Sequence, residues 1–168
     1  MTGASLLLAL VTLSRLGELG VARRNTRALL AKGAAEVAPG HYPAIVALHM
    51  LWLGSLWIYG VGQPVDGFWL AVFLVLQVGR VWVLTTLGAR WTTRIIVVPG
   101  ERLVARGPYR YVHHPNYIVV IGEIAVLPLC LGLPWLAVLF TILNAVVLTI
   151  RIRAENTGLE IARHNVAS

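Results

Sequence analysis

An all-α, polytopic integral membrane protein is the fold class this sequence predicts, and three observations carry that prediction. The first is composition: 58% of the 168 residues are hydrophobic and only 12% are charged, with a mean hydropathy of +0.76. A soluble domain carries roughly 25% charged and about 45–50% apolar residues, so this chain lacks the polar side chains to cover a water-facing surface. The second is patterning: no Asp, Glu, Lys or Arg occurs from Val37 to Val65 or from Ile124 to Ile150. The third is run length, because the uncharged stretches reach the ~20 mostly apolar residues that a bilayer-spanning helix needs.

The elements follow in order. Residues 5–21 form a first span that carries Arg15 and Glu18. These lie three apart on one helix face and can neutralise each other. The N-terminal stretch has neither the basic segment nor the small-residue cleavage site of a signal peptide, so it reads as a retained span. A basic loop follows, with Arg23, Arg24, Arg27 and Lys32 against Glu36. "HYP" (His41 to Pro43) opens a second span over 43–61, and Gly60, Gly62, Pro64 and Asp66 make a short turn into a third over 67–87.

Residues 88–116 are a long polar interruption, with Arg90, Arg94, Arg102, Arg106 and Arg110 against Glu101. Its apolar arms around Val97 to Val104 suit a turn at Pro99–Gly100. The run from Tyr117 to Ile150 would reach about 50 Å as one helix, far beyond a ~30 Å hydrocarbon core. "PLCLGLPW" (Pro128 to Trp135) breaks it into a hairpin with spans 116–131 and 134–151. The polar tail from Arg151 onward continues as helix, and one domain accounts for residues 1–168.

Five spans put the termini on opposite sides of a bilayer. By the positive-inside rule the loops after spans one and three, with Arg151 and Arg153, face the cytoplasm. That rule also explains the net charge of +7, so nucleic acid is not an expected partner. The single cysteine, Cys130, excludes an internal disulfide and any CxxC motif. His113 and His114 are adjacent and point apart, without the HxxxH or HExxH spacing of a metal site, so no metal is expected.

Two clusters fall on the cytoplasmic side: "GPYRYVHHPNY" (Gly107 to Tyr117) with Glu123 beyond it, and "RIRAEN" (Arg151 to Asn156) after the last span. Pro115 restrains His114 to extended backbone and suits the first position of a helix. The helix start offers amide donors to an anion. Glu123 lies about 10 Å along that helix, where an ionisable group is expensive unless paired. It is either a functional acid or the partner of a neighbouring arginine. Arg80 has two such partners within reach, Glu18 and Glu123, and the sequence does not choose. Arg151 and Glu155, four apart, share a helix face. Backbone donors, an imidazole and an acid could thus bracket a zwitterionic cofactor.

These segments resemble the isoprenylcysteine carboxyl methyltransferase family of membrane enzymes, over roughly Arg90 to Glu155. The N-terminal "RLGELGVARRN" and "HYP" are similar to a bacterial branch often associated with polyketide synthases that make alkylpyrones or alkylresorcinols. The resemblance implies S-adenosylmethionine bound between the His-Pro loop and the C-terminal helix, and a lipophilic acceptor entering from the bilayer. It implies cofactor contacts from Tyr109, His113, His114, Pro115, Tyr117, Arg151 and Glu155, with His114 and Glu123 as the groups able to help a hydroxyl acceptor. Two positions depart from the family pattern: His113 stands where an arginine is usual, and Glu155–Asn156 where two acids are usual. The tail beyond them is short, which implies an abbreviated gating helix.

The chemistry suits such a site. Methyl transfer from a sulfonium is an in-line displacement that chiefly needs alignment. A carboxylate acceptor needs no base, and a phenol or enol-pyrone needs only mild help. Three other classes remain open at this stage: a lipid-amine N-methyltransferase, an NADPH-dependent membrane steroid or enone reductase, and a small transporter or scaffold. In the last, Arg15, Glu18, His49, Arg80 and Glu123 would mark a polar pathway.

Overall fold

The computed structural model describes residues 2–37, 39–98 and 104–167, with side chains up to Arg153 apart from that of His41. Five helices dominate it: α1 (Gly3–Leu30), α2 (Tyr42–Gly60), α3 (Gly67–Leu87), α4 (Pro115–Cys130) and α5 (Pro134–Ala167). The all-α membrane architecture expected from composition is therefore present, hairpin included.

Helix ends follow local chemistry. The Thr2 hydroxyl accepts from the Ser5 amide at 3.2 Å and caps α1. The Asp66 carboxylate accepts from the Trp69 amide at 3.0 Å and caps α3. Both supply an oxygen to orphan first-turn donors. α1 runs past the expected end at Val21 to Leu30, because Ala22 to Leu30 contains no Gly or Pro and its arginines are good helix formers. The chain breaks at Leu131–Leu133, where Gly132 takes φ 65°, as the breakers in "PLCLGLPW" predict.

Four helices are long and apolar enough to cross a bilayer: α1, α2, α3 with its following turn, and α5 to Arg153. α4 is not. Its 16 residues reach about 24 Å. It is also the helix most enclosed by the others, with Val119, Glu123, Ile124, Val126, Leu127, Pro128 and Cys130 all buried. Outward faces of the long helices are apolar: Ile58, Val75 and Val78 are 70–74% exposed, which suits lipid rather than water. Tyr59 against Trp135 and Phe68 against Trp69, each pair with ring centroids 5.2 Å apart, lie at the short-turn end, where amphipathic rings favour the membrane–water boundary.

α4 lies close against α3. A Cβ on Gly122 would come within 2.8 Å of the Leu76 side chain, and one on Gly79 within 3.5 Å of Val119; small residues let spanning helices approach this closely. Buried apolar side chains form two clusters. The larger runs from Ala4, Leu8 and Val11 through Trp52, Leu56 and Phe73 to Ile124, Leu127 and Phe140. The smaller joins Ala22, Val83 and Trp91, with Tyr109 against its edge, at the polar end.

The polar end holds one feature the sequence did not suggest. Strands β1 (Ala35–Glu36) and β2 (Ile96–Val97) pair antiparallel, Ala35 opposite Val97 and Glu36 opposite Ile96. The Val37 amide extends the ladder by donating to Ile95 O at 2.9 Å. Two-residue strands are below any periodicity that could announce them. The turn expected at Pro99–Gly100 lies outside the described residues.

Candidate functional site

The loop after α3 is pinned before it carries anything. Asn25 on α1 is 6% exposed and its side-chain amide donates to Gly88 O at 3.1 Å and Trp91 O at 2.9 Å. Arg94 meets Glu36 at 2.8 Å and lies over the Tyr42 ring at 4.6 Å. That hydrogen bond to the Glu36 carboxylate raises the guanidinium pKa further above its ordinary value. Tyr42 Oη and Thr93 Oγ1 are 3.2 Å apart. The loop is thus stapled to α1, α2 and the short ladder, and it presents Thr93 O inward.

Gly107 then turns the chain with φ 56°, and a single 3₁₀ turn over Gly107–Arg110 lies along α3. Pro108 is buried in it. Pro115 opens α4, as its fixed φ and missing N–H predict. His114, immediately before it, has φ −129° and ψ 62°, short of the fully extended backbone expected before proline, and its carbonyl accepts from the Tyr117 amide at 3.1 Å.

Here three elements meet. The His114 ring stacks on Tyr117, centroids 5.0 Å apart and planes 17° from parallel. Arg151 on α5 donates from Nε to Tyr117 Oη at 3.0 Å and from Nη1 to Thr93 O at 3.0 Å. Its guanidinium also lies 5.7 Å from the Tyr117 ring centroid. His114, Pro115, Tyr117 and Arg151 are therefore neighbours, joined across α4, α5 and the stapled loop. Tyr109 packs against the Ala22–Val83–Trp91 cluster instead, and His113 is exposed. Glu155 lies on α5 one turn beyond Arg151, but its side chain is outside the described residues, as is that of Asn156.

Glu123 belongs to a different constellation. Its Oε1 accepts from Arg15 at 2.8 Å and from Gln77 at 2.7 Å, and its Oε2 from Arg80 at 2.9 Å. Glu18 accepts from Arg80 Nε at 2.8 and 2.9 Å, closely from Arg80 Nη2, and from Arg15 at 3.1 Å. The Arg15–Glu18 pairing expected from spacing is present, and Arg80 takes both of its candidate acids. The ring sits within the spans, and Glu123 is about 14 Å along α4 from His114 at 1.5 Å per residue. Of the two readings weighed for Glu123, the arginine partnership is present, with both Arg15 and Arg80 on its carboxylate.

Gln77, Thr93, Tyr42 and Asn25 were missed in sequence. Only "HYP" hinted at Tyr42; the others are single polar residues whose partners are distant in the chain. Among the described residues no three His, Cys, Asp or Glu side chains gather as a metal site. A shallow concavity of about 440 Å³ lies at the opposite end, lined by residues including Asp66, Trp69, Leu129 and Pro134, far from the polar cluster.

The profile of the isoprenylcysteine carboxyl methyltransferase (ICMT) family matches residues 69–161, more than half of the chain and all of α4. The chain belongs to this family. It is accordingly a membrane methyltransferase in the general sense, and the matched segment contains His114, Tyr117 and Arg151 but not Arg15, Glu18 or Tyr42. The Bacillus subtilis (strain 168) protein YpbQ, itself uncharacterized, is 42% identical over 160 residues, covering 92% of this chain and 95% of its own length. An uncharacterized Haemophilus influenzae protein is 23% identical over 153 residues, covering 86% of this chain and 88% of its own. No solved structure matches the chain at a significant level.

Proposed function

We propose that this ICMT-family chain transfers the methyl group of S-adenosylmethionine to a carboxylate or hydroxyl of a lipophilic acceptor at the cytoplasmic face of the membrane. The observation that carries the reading is the junction of His114, Tyr117 and Arg151 at the polar end, inside the family-matched segment. That junction joins two helices and a loop around chemically mixed groups: a ring face, a guanidinium, an imidazole and a helix start.

The residues present suit the cofactor. Asn116 Oδ1 is buried without a hydrogen-bond partner among the described residues. A buried acceptor lacking a donor is costly and suits an ammonium group. The positive end of the α4 dipole, which favours a carboxylate, lies beside it. When bound, S-adenosylmethionine supplies a methyl group activated by its sulfonium. Tyr117 is held by Arg151 and presents a fixed ring, and the stapled loop keeps Thr93 and Arg151 in register. His114 is the group available to take a proton where the acceptor is a hydroxyl; a carboxylate needs none. Glu155, on the face of α5 continuing from Arg151, is assigned to the cofactor amine.

The acceptor class follows from surroundings. The helices expose apolar faces to lipid, so an acceptor with a long hydrocarbon tail reaches the polar end by lateral diffusion. Isoprenylcysteine-like carboxylates and long-chain polyketide lipids both fit, the latter implying a functional link to a polyketide synthase. Two observations favour this over a transporter and over a reductase. Arg15, Glu18, Arg80 and Glu123 neutralise one another in a closed ring rather than lining an open polar path. Arg94, one of the arginines that a reductase would turn toward a 2′-phosphate, is engaged by Glu36. Calorimetry on detergent-purified protein tests the reading. S-adenosylmethionine should bind in the micromolar range and lose that binding in His114→Ala and Glu155→Ala; binding of NADPH in its place would refute it.

A further inference from the structure

A helix that spans a bilayer is held at its height by hydrophobic matching, which costs fractions of a kcal/mol per Å of displacement. α4 lacks that restraint, because at 16 residues it covers about 24 Å of a ~30 Å core. Half of its residues are buried among its neighbours, with Ile118 and Ile121 left facing outward. Its contact with α3 is made by glycines and aliphatic side chains, Gly122 on Leu76 and Val119 on Gly79, close packing that carries no directional bond. Yet α4 begins at the His114–Tyr117 junction, where a shift of 1 Å matters to an aligned transfer.

The directional contacts on α4 are at three levels, and at its start Arg151 on α5 donates to Tyr117 Oη at 3.0 Å. At the far end the Asp66 amide donates to Cys130 O at 2.9 Å. In the middle, Glu123 receives Arg15 from α1 and Arg80 and Gln77 from α3. Glu18 closes the ring by receiving both arginines. Two cations meet two anions, so the ring is neutral. It lies between the two apolar clusters, with Arg80 and Glu123 only 9% and 5% exposed as side chains. Displacing α4 along its axis would strand buried charges, which is strongly unfavourable.

We propose that Arg15, Glu18, Arg80 and Glu123 are positioning residues for the methyl transfer: their closed ring sets the height and rotation of α4, and through it the place of His114 and Tyr117. The link to transfer rests on the methyltransferase reading above; the setting of α4 does not.

Removing one charge and removing an opposite pair separate positioning from stability. Glu123→Gln leaves the two arginines sharing Glu18, a surplus positive charge. Arg80→Gln combined with Glu123→Gln leaves the neutral Arg15–Glu18 pair, but no ion pair then ties the middle of α4 to α1 or α3. Hydrogen–deuterium exchange on the full chain in nanodiscs reads α4 directly. Exchange at residues 118–122 should rise about tenfold in the single variant, reporting a looser helix. Thermal stability should partly recover in the double variant, while exchange stays fast and the Kd for S-adenosylmethionine stays about tenfold raised. If exchange and Kd instead follow the melting temperature back toward wild type, the ring only stabilises and the proposal falls. Should either variant fail to fold, Gln77→Leu removes one donor to Glu123 without changing charge. It should raise the same exchange about twofold to threefold, and no change there would overturn the proposal. If wild type binds no S-adenosylmethionine, the methyltransferase reading fails, while the exchange measurements still decide whether the ring positions α4.

Discussion

Gly107→Ala should be among the costliest single-methyl changes in this chain. Gly107 sits at φ 56°, a left-handed conformation that costs a residue with a Cβ about 1–2 kcal/mol. The new methyl would also stand 2.5 Å from Thr86 Oγ1 and 3.0 Å from its Cγ2, so Thr86 must move. That hydroxyl donates to Trp82 O at 2.7 Å, and losing the bond costs about 1 kcal/mol; an off-rotamer Thr adds about 0.5–1.5 kcal/mol. The sum is about 2.5–4.5 kcal/mol, or roughly 5–18 °C in melting temperature for a chain of this size. Because the 3₁₀ turn that follows leads into His114, cofactor affinity should fall with it. Thermal unfolding of Gly107→Ala alone and in a Thr86→Ala background is the assay. The second background removes the obstruction but keeps the backbone strain, so about half of the loss should return. A Gly107→Ala protein that melts like wild type would refute the reasoning, and a loss untouched by Thr86→Ala would refute the steric part of it.

Three further outcomes are expected. Gly122→Ala should cost less, about 1 kcal/mol, because the Cβ would meet the flexible end of Leu76; its melting curve checks this. Asn25→Ala should lose about 2 kcal/mol of stability, since two carbonyls of the post-α3 loop lose their donor. Limited proteolysis should then cut near Trp91. Tyr117→Phe removes the hydroxyl that Arg151 holds and should weaken S-adenosylmethionine binding about tenfold, the worth of one charge-assisted hydrogen bond. Calorimetry reads that change, and melting temperature should move little.

Helices α2, α3 and the α4–α5 hairpin could be read from the sequence because bilayer thickness turns composition into length, and Pro and Gly mark the breaks. α1 ran beyond its apolar part because hydropathy reports where lipid ends, not where helix ends. Arg15–Glu18 was readable from spacing on one helix. The choice made by Arg80 was not, since it depends on how α1, α3 and α4 face one another, and it resolves by taking both acids. Tyr117 and Arg151 stand out in the sequence through their motifs, and the fold brings them into contact. Thr93 contributes a backbone carbonyl, which no side-chain pattern can announce, and the β1–β2 ladder is too short to show a period. Gln77 looked like any polar residue in a span until Glu123 stood beside it.

The proposed activity is transfer of a methyl group from S-adenosylmethionine to a lipophilic acceptor. The most direct measurement supplies methyl-labelled S-adenosylmethionine to the protein in liposomes containing either an isoprenylcysteine-like acid or a long-chain alkylpyrone, then counts label in the organic extract. Label should pass into one of these lipids, as an ester or an ether, and should disappear in the His114→Ala and Tyr117→Phe proteins in proportion to lost cofactor affinity. Label that stays entirely in the aqueous phase with both acceptors, from protein shown to be folded, would contradict the account.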